Sequence, residues 1–165
     1  MLTNLQIRFG ELQDAEDIRK IYNNEVRGST STFDLVERSE EEQQNWMLEH
    51  AGAFSVLVAE INSVVVGFAS FSPYKERAAY RTTVENSVYI DKNFRGKGIA
   101  GDLLSKLLEV AESSGFHSVI ARIGGGNEAS TALHKKHGFS IVGTEKEIGR
   151  KFGHWQNVVV MQIIF

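Results

Sequence analysis

Residues 87–100 read SVYIDKNFRGKGIA. This stretch opens with the β-branched and aromatic residues 88–90, which are typical of a strand. Two glycines, Gly96 and Gly98, then stand before a segment whose apolar residues recur at helical spacing, namely Ile99, Leu103, Leu104, Leu107, Leu108 and Ala111. The pattern therefore predicts a strand, a glycine turn and an amphipathic helix in direct succession.

Periodic segments on both sides of this unit extend the prediction to the whole chain. Strands are predicted at residues 6–9, 55–61, 64–71, 82–91, 118–123, 140–146 and 157–164, and helices from Asp14, from Ser39 to Ala51, from Ile99 and over 127–137. The order β-α-α-β-β-β-α-β-α-β-β indicates an α/β fold with a mixed sheet and helices on its faces. Because no linker or repeat appears, we expect one domain over residues 1–165.

The glycine turn has two interpretations on its own residues. The first turn of a helix has unpaired N–H groups and a positive dipole end, so Gly96 and Gly98 could bring backbone amides against a phosphate, with Arg95 and Lys97 adding charge. A plain helix-capping turn with two exposed cations explains the same residues equally well. The GxxxxGK[ST] signature is absent from this turn.

Composition limits the classes of function. Lys and Arg number 18 against 21 Asp and Glu, a net charge of −3, which argues against general nucleic-acid binding. No Cys is present, so disulfides, thiolate metal sites and a cysteine nucleophile are excluded. The longest apolar runs, such as 64–66 and 158–161, are far shorter than a bilayer span, and residues 1–10 lack the pattern of a secretory signal. We expect a cytoplasmic protein without a membrane or nucleic-acid partner.

The pattern Arg95-x-x-Gly98-x-Ala100 after a strand resembles the acetyl-coenzyme A loop of the GNAT N-acetyltransferase superfamily. Asn127 and Ser130 in the next predicted helix, closed by Gly138, follow in the order of that family. Four further blocks narrow the resemblance to the phosphinothricin and methionine sulfoximine acetyltransferase group: residues 21–26 (IYNNEV), 77–80 (RAAY), 83–89 (TVENSVY) and 151–155 (KFGHW). The resemblance covers essentially the whole chain.

The resemblance implies a GNAT acyl-CoA N-acyltransferase fold, a central mixed sheet splayed between its fourth and fifth strands. The pantetheine arm of acetyl-CoA would pair with the backbone of the fourth strand, and the pyrophosphate would lie on the amides of the glycine loop. The cofactor-binding residues implied are Val88, Tyr89, Ile90, Arg95, Gly96, Lys97, Gly98, Ile99, Ala100, Asn127 and Ser130, with Lys136 as a further candidate for the outer phosphate.

The resemblance also assigns the catalytic residues. An amine acceptor is mostly ammonium at neutral pH, so a base must take a proton, and Glu85 matches the proposed base of the family. His134 occupies the position at which many members of the superfamily carry a Tyr that protonates the leaving thiolate. A His there could donate a proton, assist deprotonation or orient the substrate. A metal site at His134 and His137 has no third ligand at a recognised spacing, so no metal is expected.

Substrate binding is assigned to residues outside the glycine loop. Lys75, Arg77 and Tyr80 precede the fourth strand, and an Arg there suits an α-carboxylate, although a solvated basic loop explains them as well. Phe33 is either core or a pocket wall. Lys151 and Trp155 are carried over from the family, in which the connection to the last strand lies near a dimer interface.

The function expected is direct transfer of the acetyl group of acetyl-CoA to the α-amine of a small amino-acid analogue, such as methionine sulfoximine or phosphinothricin. Direct transfer fits a chain without Cys, although an acetyl-serine intermediate is formally possible. Two alternatives are another amine acceptor (an amino acid, a polyamine or a protein amino group) and a non-catalytic acyl-CoA sensor. A homodimer is expected by analogy with the family.

Overall fold

The structure is a computed structural model that describes residues 4–165. Residues 1–3, part of the stretch considered above for a secretory signal, lie outside the described residues. The strands are β1 (Leu5–Phe9), β2 (Leu57–Ile61), β3 (Val64–Pro73), β4 (Thr83–Ile90), β5 (Ser118–Gly124), β6 (Ser140–Lys151) and β7 (His154–Ile164). The α-helices are α1 (Ala15–Gly28), α2 (Glu40–Glu49), α3 (Ile99–Ser113) and α4 (Glu128–Lys136). The predicted mixed sheet with helices on its faces is confirmed.

The seven strands form one sheet in the order β1-β2-β3-β4-β5-β7-β6. Each described strand pair is antiparallel except β4 with β5, which run parallel. This parallel pairing covers only three residue pairs and ends at Glu85↔Ile120, although β4 continues to Ile90 and β5 to Gly124. The two strands therefore separate beyond Glu85, which confirms the expected splay between the fourth and fifth strands.

Two hydrophobic clusters cover the two faces of the sheet. Successive side chains of a strand point to opposite faces, so β2 sends Leu57 to one cluster and Val58 to the other. The larger cluster includes Leu103 and Leu107 of α3, and the smaller one contains Ile18 of α1 and other residues of the α1–α2 side. The helices thus lie on both faces, with α1 and α2 opposite α3.

Local sequence signals set several element ends. At Ser39 the hydroxyl accepts from the Glu42 amide at 3.2 Å while the Glu42 carboxylate accepts from the Ser39 amide at 2.7 Å, which is a capping box. The turn between β2 and β3 has positive φ at Asn62 (50°) and Ser63 (64°), as in a tight hairpin turn. Asp14 precedes α1 but does not cap it with its side chain, because that carboxylate pairs with Arg8 and accepts from the Glu11 amide.

The last two strands are longer than predicted, so the expected connection at residues 151–155 is in fact the tip of a hairpin. The pairing of β6 with β7 reaches Lys151↔His154, and the turn between them holds Phe152 (φ 52°) and Gly153 (φ 77°). Two positive φ values suit the tight turns that join antiparallel strands. Long-range pairing with β7 extends β6 through Gly149, a residue type with little strand propensity of its own, to Arg150 and Lys151.

Candidate active site

A cavity of about 680 Å³ occupies the opening between β4 and β5. Its wall is formed by the diverging halves of these strands, the glycine loop, the start of α3, one face of α4 and the segment 30–33 after α1. Most of the cofactor and catalytic candidates named from the sequence line it: Glu85, Val88, Tyr89, Ile90, Arg95, Gly96, Gly98, Ile99, Ala100, Asn127, Ser130, His134 and Lys136, together with Phe33. The splayed sheet therefore gathers residues that are far apart in the sequence.

The glycine loop has the geometry of a backbone anion site. Gly96 and Gly98 have φ of 71° and 86°, a region that L side chains rarely adopt. The first helical amide in α3 with an intrahelical acceptor is that of Gly101, which donates to the Gly98 carbonyl at 2.9 Å. The preceding amides therefore lack intrahelical acceptors. A Cβ at either glycine would meet no described atom within 4 Å, so these positions open onto free space that a ligand can enter.

The cations of the loop are held in different ways. Arg95 forms an ion pair with Glu25, a buried carboxylate of α1, and its Nε donates to the Ile90 carbonyl at 3.2 Å. Lys97 is exposed, and its Nζ lies 3.3 Å from the Asn93 carbonyl oxygen. Arg95 thus ties the loop to α1 and to the end of β4, whereas Lys97 faces solvent.

Asn127 stands at the N-terminus of α4. Its Oδ1 accepts from the Ser130 amide at 3.0 Å, which makes Asn127 the cap of this helix. Both residues line the cavity, so the cap and the predicted pantetheine contact fall at one place.

Glu85 is the last residue of β4 that pairs with β5, and its side chain is half-buried at the cavity wall. Burial raises the pKa of the Glu85 carboxyl above its usual value, the positive charge of Arg122 opposes that shift, and the negative charge of Glu145 adds to it. Arg122 and Glu145 form an ion pair with each other on β5 and β6. A carboxylate with a raised pKa is a stronger base, as proton abstraction from an amine requires.

His134 is buried, with 5% of its surface exposed, on the cavity side of α4. Its Nδ1 lies 2.8 Å from the Ser130 carbonyl oxygen, and its Nε2 lies 3.0 Å from Asn86 Nδ2. Burial lowers the pKa of His134, the bond to the Ser130 carbonyl opposes this, and the charge of His137 lowers it further. The imidazole is therefore neutral at neutral pH.

Glu85 and His134 approach the cavity from opposite faces of the sheet. Because Glu85 and Asn86 are neighbours on β4, their side chains point to opposite faces, and Asn86 is the one that contacts His134. Glu85 shares its face with Tyr89, which packs against Tyr22 of α1 with ring centroids 5.3 Å apart. The two candidates can act on the same ligand only through the gap between β4 and β5.

Phe33 lies against two glycines that the sequence analysis did not connect to it. A Cβ at Gly124 would lie 2.9 Å from Phe33 Cε1, and a Cβ at Gly149 would lie 2.5 Å from Phe33 Cε2. A Cβ at Gly125 would likewise come within 2.8 Å of Thr30 Cβ. These three glycines leave room for segment 30–33 to pack on β5 and β6, a role for Gly124 and Gly125 that no sequence motif indicates.

Lys151 is buried, with 3% of its surface exposed, beneath the same segment. Its Nζ donates to the Thr32 carbonyl at 2.7 Å. Burial lowers the pKa of Lys151, while the negative charges of Asp34 and Glu25 oppose that shift. The described side chain does not line the cavity but fixes the segment that does.

The remaining substrate candidates lie outside the cavity wall. Lys75, Arg77 and Tyr80 line a separate polar cleft in the β3–β4 connection, where Lys75 Nζ is 5.2 Å from the centroid of the Tyr80 ring. Trp155 is 61% exposed on the β6–β7 hairpin, with the Arg150 guanidinium 5.5 Å from its ring centroid. Of the substrate candidates, Phe33 therefore lines the cavity, whereas Lys75, Arg77, Tyr80 and Trp155 lie outside its wall.

Sequence reasoning missed Asn86 and Glu25 as contributors to the site. Both fall inside motif blocks, 83–89 and 21–26, that were used for the resemblance. Their partners, His134 and Arg95, are 48 and 70 positions away, so only tertiary structure pairs them.

Residues 4–165 contain no group of three His, Cys, Asp or Glu side chains placed to hold a metal ion. Within that range no helix has the length and apolarity needed to cross a bilayer.

Comparison with known proteins identifies the relatives of this chain. Residues 15–139 match the family model described as "Acetyltransferase (GNAT) family". A phosphinothricin N-acetyltransferase of Streptomyces coelicolor is 36% identical over 158 residues, covering 93% of this chain and 92% of the relative. An L-methionine sulfoximine/L-methionine sulfone acetyltransferase of Pseudomonas aeruginosa is 35% identical over 159 residues, covering 95% of this chain and 92% of the relative. The crystal structure of a phosphinothricin acetyltransferase from Sinorhizobium meliloti in complex with AcCoA superposes with a TM-score of 0.95 at 34% identity, covering 100% of this chain and 89% of that one.

Proposed function

The chain belongs to the GNAT acetyltransferase family, and we propose that it transfers the acetyl group of acetyl-CoA directly to the α-amine of a small amino-acid analogue. Methionine sulfoximine and phosphinothricin are the acceptors proposed, because relatives named for these compounds share about a third of the sequence over nearly the full chain. The proposal assigns the reaction to the cavity between β4 and β5. Because the reaction needs a supply of acetyl-CoA, the proposal includes a location in the cytoplasm, in which this co-substrate is available.

The observation that carries this proposal is the separation of β4 from β5 along the second half of β4, the strand that the glycine loop follows. Beyond Glu85 the edge of β4 that faces β5 has no strand partner among the described residues. An extended ligand with amide groups, such as pantetheine, can pair with such an edge as a further strand. Gly96 to Ala100 follow the end of β4 and offer unpaired amides for the pyrophosphate at the start of α3.

Glu85 is the proposed base. It takes a proton from the acceptor ammonium, and the resulting amine attacks the thioester carbon. As the C–N bond forms, the nitrogen gives up a second proton, and as the C–S bond breaks, the sulfur of coenzyme A gains one. The half-buried position of Glu85 at the cavity wall and its raised pKa support this assignment.

Arg77, with Lys75 and Tyr80, is proposed to hold the carboxylate and the polar side-chain group of the acceptor. Glu85 pairs with Ser72 across β3 and β4, and the connection that carries these three residues begins two residues beyond Ser72. The polar cleft in the β3–β4 connection therefore adjoins the end of the cavity at which Glu85 lies. Phe33 would form the apolar wall on the other side, with Lys151 holding its segment in place.

A homodimer through the β6–β7 hairpin completes the proposal. β6 is one of the two edge strands of the sheet, and apolar side chains are exposed along β6 and the hairpin: Ile141, Val142, Ile148, Phe152 and Trp155. Exposed apolar surface of this kind is typical of protein–protein contacts. Trp155 would then be a residue of the interface beside the substrate pocket. Sedimentation analysis of the protein and of Phe152→Ser tests this, and a monomer at all concentrations would contradict it.

The function is tested by thiol release with a panel of amines. Amine-dependent release of coenzyme A that is strongest with methionine sulfoximine or phosphinothricin is expected. Equal turnover of general amino acids or polyamines would contradict the proposed acceptor while leaving acetyl transfer intact. Saturable acetyl-CoA binding with no amine-dependent release would contradict catalysis and favour an acyl-CoA sensor.

A further inference from the structure

Asn86 is a buried polar residue of the cavity wall for which neither the sequence motifs nor the proposed chemistry gives a role. It is 7% exposed, and its Nδ2 lies 3.0 Å from His134 Nε2. Its Oδ1 is buried and has no hydrogen-bond partner among the described residues. A buried amide oxygen without a partner is destabilising, so such an atom needs an explanation.

The partners of His134 determine where its protons are. Nδ1 lies 2.8 Å from the Ser130 carbonyl oxygen, which can only accept, so Nδ1 carries a proton. In the neutral imidazole Nε2 is then an acceptor, and it faces Asn86 Nδ2, which can only donate. The resting state is therefore the neutral Nδ1–H form, and it has no spare proton to donate.

The amide of Asn86 matches the charged form of His134 as well. If Nε2 gains a proton, both ring nitrogens become donors and Nε2 needs an acceptor. Rotation of the amide about its last torsion exchanges Nδ2 for Oδ1 at nearly the same place, so the oxygen without a partner would accept from Nε2–H. Each state of the imidazole then keeps one hydrogen bond to Asn86, and the bond to the charged form is the stronger one.

We propose that Asn86 is a positioning residue whose amide turns over as His134 gains and loses a proton at Nε2. The proposal rests on the acetyl transfer assigned above. Because the single lone pair of Nε2 points at Asn86, the amide turns aside for each transfer. As the C–N bond forms, the second proton of the acceptor nitrogen passes to Nε2, and Oδ1 then accepts from Nε2–H. As the C–S bond breaks, the amide turns aside again, the proton passes from Nε2 to the sulfur of coenzyme A, and His134 returns to its neutral form.

Few charges compete with Asn86 for control of His134. His137, on the same helix, is the titratable side chain among the described residues whose charge acts on the ring, and it opposes protonation. Phe139, which follows α4, presents its ring to His134 with centroids 4.9 Å apart and carries no charge. Glu85 is the nearest carboxylate along β4, but it points to the opposite face of the sheet. Residue 86 is thus the neighbour through which the state of His134 can be changed.

Two isosteric variants test the proposal on the full protein. Asn86→Asp keeps an acceptor and loses the donor, so it should favour the imidazolium and raise the pKa of His134 by about one unit or more. Asn86→Leu removes both partners and should lower that pKa. Nitrogen NMR of the imidazole rings reports the protonated atom and the pKa without any acetyl transfer, with His134→Gln identifying the signals.

Kinetics provide the second measurement. Asn86→Leu should lower kcat by about tenfold or more with little change in the KM for acetyl-CoA, since only the proton step is impaired. The kcat profile of Asn86→Asp should gain a component that rises with pH in step with the His134 titration, in addition to the limb that Glu85 sets. Identical titration of His134 in all three proteins, or a neutral form protonated at Nε2, would overturn the proposal whether or not the protein acetylates the proposed acceptors.

Discussion

The ring of Phe33 lies directly over Gly149, so close that a Cβ at residue 149 would be 2.5 Å from Phe33 Cε2. Gly149 belongs to β6 and Phe33 to the segment after α1, so the glycine allows this segment to reach the cavity. The position of an aromatic wall at the site thus depends on a missing side chain in a distant strand.

Gly149→Ala should therefore displace Phe33 and impair acceptor binding. We expect the KM for the amine to rise about 10- to 100-fold, the scale associated with a misplaced group at an active site, while the KM for acetyl-CoA changes little. Gly143→Ala is the matched control, because residue 143 is also in β6 and a Cβ there would meet nothing within 4 Å. Unchanged kinetics in Gly149→Ala would show that Phe33 is not part of the acceptor site.

Gly98→Ala should weaken acetyl-CoA binding. A Cβ there enters the free space in front of the loop amides, and φ of 86° strains any residue other than glycine. The expected rise in the KM for acetyl-CoA is about tenfold or more, as for loss of one hydrogen bond to a charged group. Gly115→Ala, with φ of 82° and equally open space after α3, should lose a similar stability of about 1–2 kcal/mol without affecting either KM. Equal kinetic effects of the two variants would contradict a phosphate site at Gly98.

Glu85→Gln should lower kcat by about 100-fold or more, the scale of a general base. Because the carboxylate must be ionised to act, the activity of the parent should increase as pH rises through the Glu85 pKa. Arg122→Gln removes a positive charge that lowers this pKa, so the acidic limb should move to higher pH. A limb that stays in place in Arg122→Gln would mean that another group is the base.

Glu85→Gln should also stabilise the fold at neutral pH. Burial raises the pKa of Glu85 in the folded state above its unfolded value, so ionisation above that pKa costs folding free energy. Glu85→Gln removes this cost, and chemical denaturation at neutral pH should give a larger free energy of unfolding for the variant. The difference should vanish below about pH 4, where the carboxyl is protonated in both states. A variant less stable than the parent at neutral pH would contradict the burial effect.

Arg77→Ala should raise the KM for the amino-acid acceptor by about tenfold or more, because a charge-assisted bond to its carboxylate is lost. The KM for acetyl-CoA should not change. Arg81→Ala is the control, since Arg81 is exposed in the same connection but does not line the polar cleft. If only the KM for acetyl-CoA rises in Arg77→Ala, the cleft serves the cofactor instead.

Much of this protein could be predicted from the sequence because the signals are local. The strand at residues 88–90, the turn of Gly96 and Gly98 and the apolar stripe of α3 depend on neighbours within a few positions, and all appear as expected. The capping box of Ser39 with Glu42 is equally local. The resemblance carried by these motifs gave the family and the splay of the sheet.

Contacts between side chains that are far apart in the sequence depend on the packing of the elements. The extension of β6 to Lys151, the bond of Lys151 to Thr32 across 119 positions and the contact of Asn86 with His134 across 48 positions have no local signal. Whether Glu85 and His134 share a face also depended on the register of β4 in the sheet. Local propensity acts through the backbone over one or two turns, whereas such pairings follow from how strands align and helices pack. Local sequence therefore specifies the elements and the family, whereas packing brings the residues of the site together.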